Sequence, residues 1–167
     1  MITVLIILFL AAIFAVVISL VFGAIYVPSV NWVIDDMVSL ANVKKGEKVV
    51  DLGSGDGRIV IAFAKRGADA VGYEFNPFLV LWSKYKIWRS GVNAYGAHAH
   101  VYWKSFWNED LSKYHVVVLF LSPLLMKRLE EKLQKELRSK TRVISATFQF
   151  RNWKSTKRLR STWFYIR

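Results

Sequence analysis

The chain has 167 residues, 54% of them hydrophobic and 15% aromatic, with 24 Lys and Arg against 12 Asp and Glu. That composition excludes a disordered chain, and the absence of cysteine excludes disulfides, thiolate catalysis and Cys-ligated zinc. The charge is lopsided: residues 1–43 hold two acids and no Lys or Arg, so residues 44–167 carry 24 bases and 10 acids, net +14, a field that attracts nucleic acid, anionic lipid or acidic protein without choosing among them.

In chain order, residues 2–27 read ITVLIILFLAAIFAVVISLVFGAIYV, 26 residues without a charge. As a helix this stretch would be about 39 Å long, enough to span a hydrocarbon core with some tilt. A cleaved signal peptide would need a positive start and a clear cleavage site, and both are missing, so residues 1–27 are expected to be a retained transmembrane anchor touching lipid. Tyr26 and Trp32 stand where interfacial aromatics belong, and Pro28 stops the helix. The basic remainder then predicts a single-pass membrane protein with its folded domain, residues 28–167, on the cytoplasmic side.

A helix over Val30–Ala41 is followed by KVVDLG, an apolar run ending in glycine that reads as a buried strand. Residues 57–66 read as a helix and AVGYEF as a second strand. PFLVLWSKYKIWRSG is a helix opened by Pro77 and closed by Gly91. HVYWKSF is a third strand, and HVVVLFLS (115–122) suits a strand covered on both faces. LLMKRLEEKLQKELRS repeats Leu125, Leu129, Leu133 and Leu137 at helical spacing, RVISATFQF is a fifth strand and STWFYIR a last one. The alternation predicts a Rossmann-like α/β domain, a mostly parallel sheet with helices on both faces and an antiparallel edge at the end.

The stretch DLGSGDGR, Asp51–Arg58, occupies the first strand-to-helix turn, the usual ligand cradle of such a sheet. Its glycines are spaced G-x-G-x-G, with Arg58 where the dinucleotide fingerprint needs its last glycine, and no Lys-Ser or Lys-Thr completes a phosphate loop. Asp51 and Asp56 are poor neighbours for a pyrophosphate. They suit a ligand carrying an ammonium and a sulfonium, as S-adenosylmethionine does. Glu74, 23 residues after Asp51, closes the second strand where an acid accepts hydrogen bonds from ribose hydroxyls.

The stretches YVPS, DLGSGDGRIVIAFAKRGADAVGYEFNPFLVLWSKYKIWRSG and RVISATFQF resemble the small seven-strand protein lysine methyltransferases. Within that class the likeness is to the membrane-anchored enzymes that methylate the ATP synthase c subunit and the adenine nucleotide translocase, and to their prokaryotic relatives. The resemblance implies a class I methyltransferase fold, S-adenosylmethionine as cofactor with S-adenosylhomocysteine as product, and methyl transfer to the side-chain amine of lysine in a protein, a membrane protein above all. It puts Asp51, Gly53, Ser54 and Gly55 around the methionine end and Glu74, followed by Phe75 and Asn76, at the ribose. Tyr26 and Ser29 would close over the cofactor, Ser105 and Phe106 would lie at the adenine, and Leu121, Ser122 and Pro123 would border the methyl-transfer channel.

Methyl transfer from a sulfonium is an in-line displacement that needs alignment and a neutral amine, so no proton-abstracting residue is nominated. Among other readings, a DNA amino-methyltransferase would carry Asn-Pro-Pro-aromatic after the fourth strand, where this chain has LSPLL. Nucleic acid is therefore disfavoured, with RNA left open beside a lipid or quinone substrate and a non-catalytic cofactor-binding role. His98 and His100 have no third ligand nearby and, like His115, read as strand-start residues, so no metal is expected. Trp82, Tyr85 and Trp88 read as helix packing rather than a lysine slot.

Overall fold

The β-branched runs KVVDL and VVVL form the two central strands, β1 (Lys48–Leu52) and β4 (Val116–Leu119), of a seven-stranded sheet; the computed structural model describes residues 2–21, 29–95 and 98–167. With β2 (Asp69–Glu74), β3 (His98–Trp103), β5 (Arg142–Ala146), β6 (Lys157–Leu159) and β7 (Thr162–Ile166), the strand order is β3-β2-β1-β4-β5-β7-β6. The pairs β3–β2, β2–β1, β1–β4 and β4–β5 are parallel, and β7 runs antiparallel to both β5 and β6. The expected antiparallel edge is thus present, and β6 comes from within the basic segment between the last two expected strands.

Period-two alternation divides the strand side chains between two cores. Val49, Val116, Val118 and Ile144 join Met37 of α2 (Asn31–Ala41), Phe63 of α3 (Arg58–Ala64) and Ile87 of α4 (Pro77–Ser90) on one face. Val50, Val117, Leu119 and Val143 join Leu129 and Leu133 of α5 (Pro123–Glu136) and Tyr165 on the other. Each of these fully buried side chains contributes about 1.5–3 kcal/mol of transfer free energy.

The helices start where their caps dictate. Asn76 Oδ1 accepts from the backbone N–H groups of Phe78 (2.9 Å) and Leu79 (3.4 Å), Pro77 takes the first position, and Gly91 ends α4 in the left-handed region. Ser122 and Pro123 repeat this arrangement at α5. Coverage of the sheet is less complete than expected. No α-helix lies between β3 and β4, only a 3₁₀ turn at Phe106–Asn108, so β3 buries Ala99 and Val101 under α4 and leaves His98, His100 and Tyr102 exposed on its second face. Trp82, Tyr85 and Trp88 do not pack into the core either: they are exposed, and their rings stack along α4 at 5.3 and 6.1 Å.

The membrane expectation is corrected. Of the expected span, residues 2–21 are described, as α1 (Ile2–Val21), 20 residues that rise about 30 Å. Among the described residues no helix is long and apolar enough to cross a membrane, so a single-pass membrane placement and a cytoplasmic orientation do not stand. Tyr26 and Pro28 lie outside the described residues.

Candidate active site

The glycine loop begins where β1 stops. Gly53 and Ser54 both donate backbone N–H bonds to the Tyr73 carbonyl of β2, at 2.9 and 3.1 Å, which folds the loop across the ends of the two strands. Geometry demands glycine at more than one of these positions. Gly53 sits at φ +78°, and a Cβ there would lie 2.7 Å from Leu121 Cδ2. At Gly72 a Cβ would come within 2.5 Å of Ser54 Oγ, so the loop lies directly on β2. The strand-end residue Leu121 and the glycine loop therefore share one wall.

Glu74 is buried and held at both oxygens by the backbone: Gly55 N–H donates to Oε2 at 2.9 Å and Asn76 N–H to Oε1 at 2.7 Å. Each carboxylate oxygen keeps a second lone pair for another donor. Asp51 differs sharply. It is 2% exposed, and neither carboxylate oxygen has a hydrogen-bond partner. Burial pushes its carboxyl well above the ordinary range, and the nearby Glu74 and Asp56 charges push it further. Ser54 Oγ is likewise buried without a partner.

Asp56, the second acid of the loop, is not open to a ligand. Its carboxylate accepts from Arg58 Nε at 2.9 and 3.0 Å and from Arg58 Nη2 at 2.8 Å, and Lys86 Nζ reaches Oδ2 at 2.6 Å. Burial opposes its ionisation, but the Arg58 and Lys86 partners outweigh it and hold the carboxyl at about 2. Of the two acids expected to face a cationic ligand, Asp56 is thus taken up by protein partners, and Asp51 is the one left without any. The Asp56–Arg58–Lys86 cluster carries no sequence signal beyond the nearness of Asp56 and Arg58, because Lys86 lies 30 residues on.

The remaining expected residues have differing local roles. Ser29 is buried, and its carbonyl accepts from Arg58 Nη1 at 2.8 Å; Tyr26 is outside the described residues. Asn76 is committed to capping α4, while half-exposed Phe75 accepts at its carbonyl from Trp103 Nε1 at 2.8 Å. Ser105 opens the turn after β3, and Phe106 is buried in the same cluster as Leu121 and Tyr73. Ser122 Oγ caps α5 by accepting from Leu124 N–H at 3.4 Å, and Pro123 follows it. Tyr73 and Tyr114, unforeseen, share a buried hydroxyl–hydroxyl bond of 2.8 Å beneath the end of β2.

A parallel sheet with an antiparallel β7 inserted beside β5, a glycine loop after β1 and an acid closing β2 define a Rossmann-like class I S-adenosylmethionine-dependent methyltransferase fold. The same fold is seen in a solved RNA methyltransferase from Salinibacter ruber in complex with S-adenosylhomocysteine, with a TM-score of 0.78 and 31% identity over 84% of this chain and 93% of that one.

Residues 51–157 match the ANTKMT methyltransferase domain, and the chain belongs to that family. It is 45% identical over 128 residues to the lysine N-methyltransferase of the ATP synthase c subunit from Xenopus laevis, covering 77% of this chain and 55% of that protein. It is 37% identical over 130 residues to a protein-lysine N-methyltransferase of Saccharolobus islandicus, covering 77% of this chain and 79% of that one. The chain thus spans about half the length of the vertebrate ATP synthase lysine methyltransferases it matches.

Proposed function

We propose that this chain is an S-adenosylmethionine-dependent protein-lysine N-methyltransferase, that residues 28–167 form its catalytic domain, and that its substrates are lysines of membrane-associated proteins. The substrate reading is supported by the 45% identity to an enzyme named for lysine methylation of the ATP synthase c subunit. The observation that carries the cofactor reading is Asp51, whose two carboxylate oxygens are buried with no protein partner. An orphaned buried carboxylate costs free energy that a cationic ligand recovers, and the residues present fit S-adenosylmethionine on that ground.

When bound, S-adenosylmethionine supplies an electrophilic methyl group. Asp51 offers the charge complement to an ammonium, with Gly53, Ser54 and Gly55 forming the adjoining cradle. Glu74, pinned by Gly55 and Asn76, presents its free lone pairs to a ribose, and Phe75 and Asn76 continue that wall. Ser105 and Phe106 take the adenine side, while Ser29 covers the site from the N-terminal side; Tyr26, which the family resemblance adds to that cover, lies outside the described residues. Leu121, Ser122 and Pro123 line the amine channel. None of these three titrates, and the apolar flanks of Leu121 and Pro123 desolvate a substrate ammonium and favour its neutral, nucleophilic form.

An RNA substrate is the second reading, favoured by the Salinibacter ruber relative and by a formal net charge of +12. Incubation of the full chain with radiolabelled S-adenosylmethionine and a cell extract separates the two. Label recovered as methyl-lysine after acid digestion of a protein band is expected; label recovered in RNA, lipid or quinone refutes the protein-lysine assignment.

A further inference from the structure

The Asp56–Arg58–Lys86 cluster joins three separate parts of the chain. The Nε and Nη2 edge of Arg58 is fixed against the Asp56 carboxylate by bonds of 2.8–3.0 Å. That fork geometry leaves Nη1 turned away from the Asp56 carboxylate, and it donates to the Ser29 carbonyl at 2.8 Å, 29 residues earlier in the chain. Lys86 of α4 locks the same carboxylate at 2.6 Å. Asp56 is 4% exposed and stays ionised across the neutral range, so the fork does not swing free through protonation. Ser29 is itself buried, at the lead-in to α2.

The body of α2 packs on β5 and β7 and also against α3, and Asp36 pairs with Arg160 of the β6–β7 hairpin. The lead-in is therefore tied at the Ser29 carbonyl to Arg58, at the end of the glycine loop, by a polar bond, while the helix body is held by apolar packing on β5, β7 and α3.

We propose that Arg58 is a positioning residue that fastens the Ser29 segment over the glycine loop and thereby sets how long the cofactor is retained. The proposal rests on reading the loop as the S-adenosylmethionine site. Arg58 bonds to Asp56 and to the Ser29 carbonyl, at the loop and its N-terminal cover, so its effect is expected on cofactor affinity rather than on the transfer step.

The test uses the full chain with Arg58→Lys and Arg58→Ala, S-adenosylhomocysteine as the probe, and hydrogen–deuterium exchange of the backbone amides over 29–34. Lysine keeps the charge on Asp56 but lacks the second, divergent donor, so Arg58→Lys separates the fork from the ion pair. Both variants are expected to bind S-adenosylhomocysteine ~10–100-fold more weakly, the range for a lost hydrogen bond from a charged donor. Both should lose the ligand-induced protection of amides 29–34. KM for S-adenosylmethionine should rise with kcat within about twofold of wild type, a split that general destabilisation does not produce. Arg58→Lys is the deciding variant if Arg58→Ala fails to fold. Wild-type affinity in Arg58→Lys, or weakened binding with protection of 29–34 intact, overturns the positioning role alone. Failure of the wild-type chain to bind S-adenosylhomocysteine overturns the cofactor reading as well.

Discussion

Replacing Asp51 with Asn should make the ligand-free protein more stable and the cofactor complex weaker. The Asp51 carboxylate is 2% exposed, unpartnered, and crowded by the Glu74 and Asp56 charges. Its raised folded-state pKa means that the folded protein holds a proton which the unfolded chain releases. The associated stability is fully present below about 3.8, the ordinary value, and is lost as pH rises towards the folded-state value. At pH 7 the penalty is bounded by the cost of protonating an ordinary carboxylate, about 4 kcal/mol at ~1.4 kcal/mol per pH unit. Asn removes the charge but leaves an unpaired amide, so a net gain of ~1–3 kcal/mol is expected. For a chain of this size that is a rise of about 3–9 °C in Tm. Scanning calorimetry from pH 4 to 8 should show wild type and Asp51→Asn converging at pH 4 and separating above it. Calorimetric titration with S-adenosylhomocysteine should show a Kd raised at least ~30-fold, from the loss of a charge-assisted contact worth about 2–3 kcal/mol. A variant that melts no higher than wild type at pH 7.5 and binds S-adenosylhomocysteine as wild type does would refute both the orphaned-carboxylate argument and the place of Asp51 in the site.

Glu74→Ala should also weaken cofactor binding but move stability the other way, lowering it by ~1–3 kcal/mol because the Gly55 and Asn76 N–H groups lose their acceptor; a stability equal to wild type in urea or thermal denaturation would contradict this. Gly53→Ala combines φ +78° with a Cβ 2.7 Å from Leu121 Cδ2, and should cost about 1–3 kcal/mol, partly recovered in the double variant with Leu121→Ala; strict additivity of the two in chemical denaturation would count against the contact. Asp56 has a depressed carboxyl, so its contribution is present above about 3.8 and disappears as pH falls towards about 2; Asp56→Asn should be less stable than wild type at pH 7 and indistinguishable from it in melts near pH 2. Thr147, a β-branched residue at φ +66°, should give a protein about 1 kcal/mol more stable when changed to Gly, read from the denaturation midpoint; a loss of stability would show that the threonine side chain is needed where it stands.

The strand and helix order is legible in the sequence because the central strands are continuous apolar runs and the helices carry local stop and start chemistry. Asn76 with Pro77, Gly91, and Ser122 with Pro123 mark their boundaries by hydrogen bonds made within three residues, which a linear reading can see. Three features escape it because tertiary contacts decide them. RVISATFQF reads as one strand, but β5 stops at Ala146, where Thr147 turns into the left-handed region and its N–H bonds to the Ser161 carbonyl of the hairpin. The strand β6 is Lys-Arg-Leu, exposed throughout, and owes its existence to pairing with β7 rather than to any apolar alternation. The bare second face of β3 follows from the missing helix before β4, a matter of what 104–115 does not form. Within the site, Glu74 and the glycines announce themselves by spacing. The capture of Asp56 by Lys86 cannot, since that bond spans the loop, β2 and half of α4.

The different fates of Asp51 and Asp56 argue against a phosphate ligand on the loop, which its glycines first suggest. Both acids are buried, Asp51 near the end of β1 and Asp56 in the loop that follows, five positions apart. Arg58 and Lys86, the two cations bonded to the loop, are bound to the Asp56 carboxylate. Asp51 and Glu74 remain as the carboxylates beside the cradle, close enough that the Glu74 charge disfavours ionisation of Asp51. A pyrophosphate placed on the Gly53–Gly55 amides would face those two acids with the nearest cations already committed to Asp56. A ligand that brings its own positive charge reverses the sign of every one of these interactions: it recovers the desolvation cost of Asp51 and draws its pKa down, so binding near neutral pH is expected to release a proton to the buffer. Titration calorimetry in buffers of different ionisation enthalpy measures that proton directly, and a binding enthalpy independent of the buffer would mean that Asp51 is already ionised in the ligand-free protein.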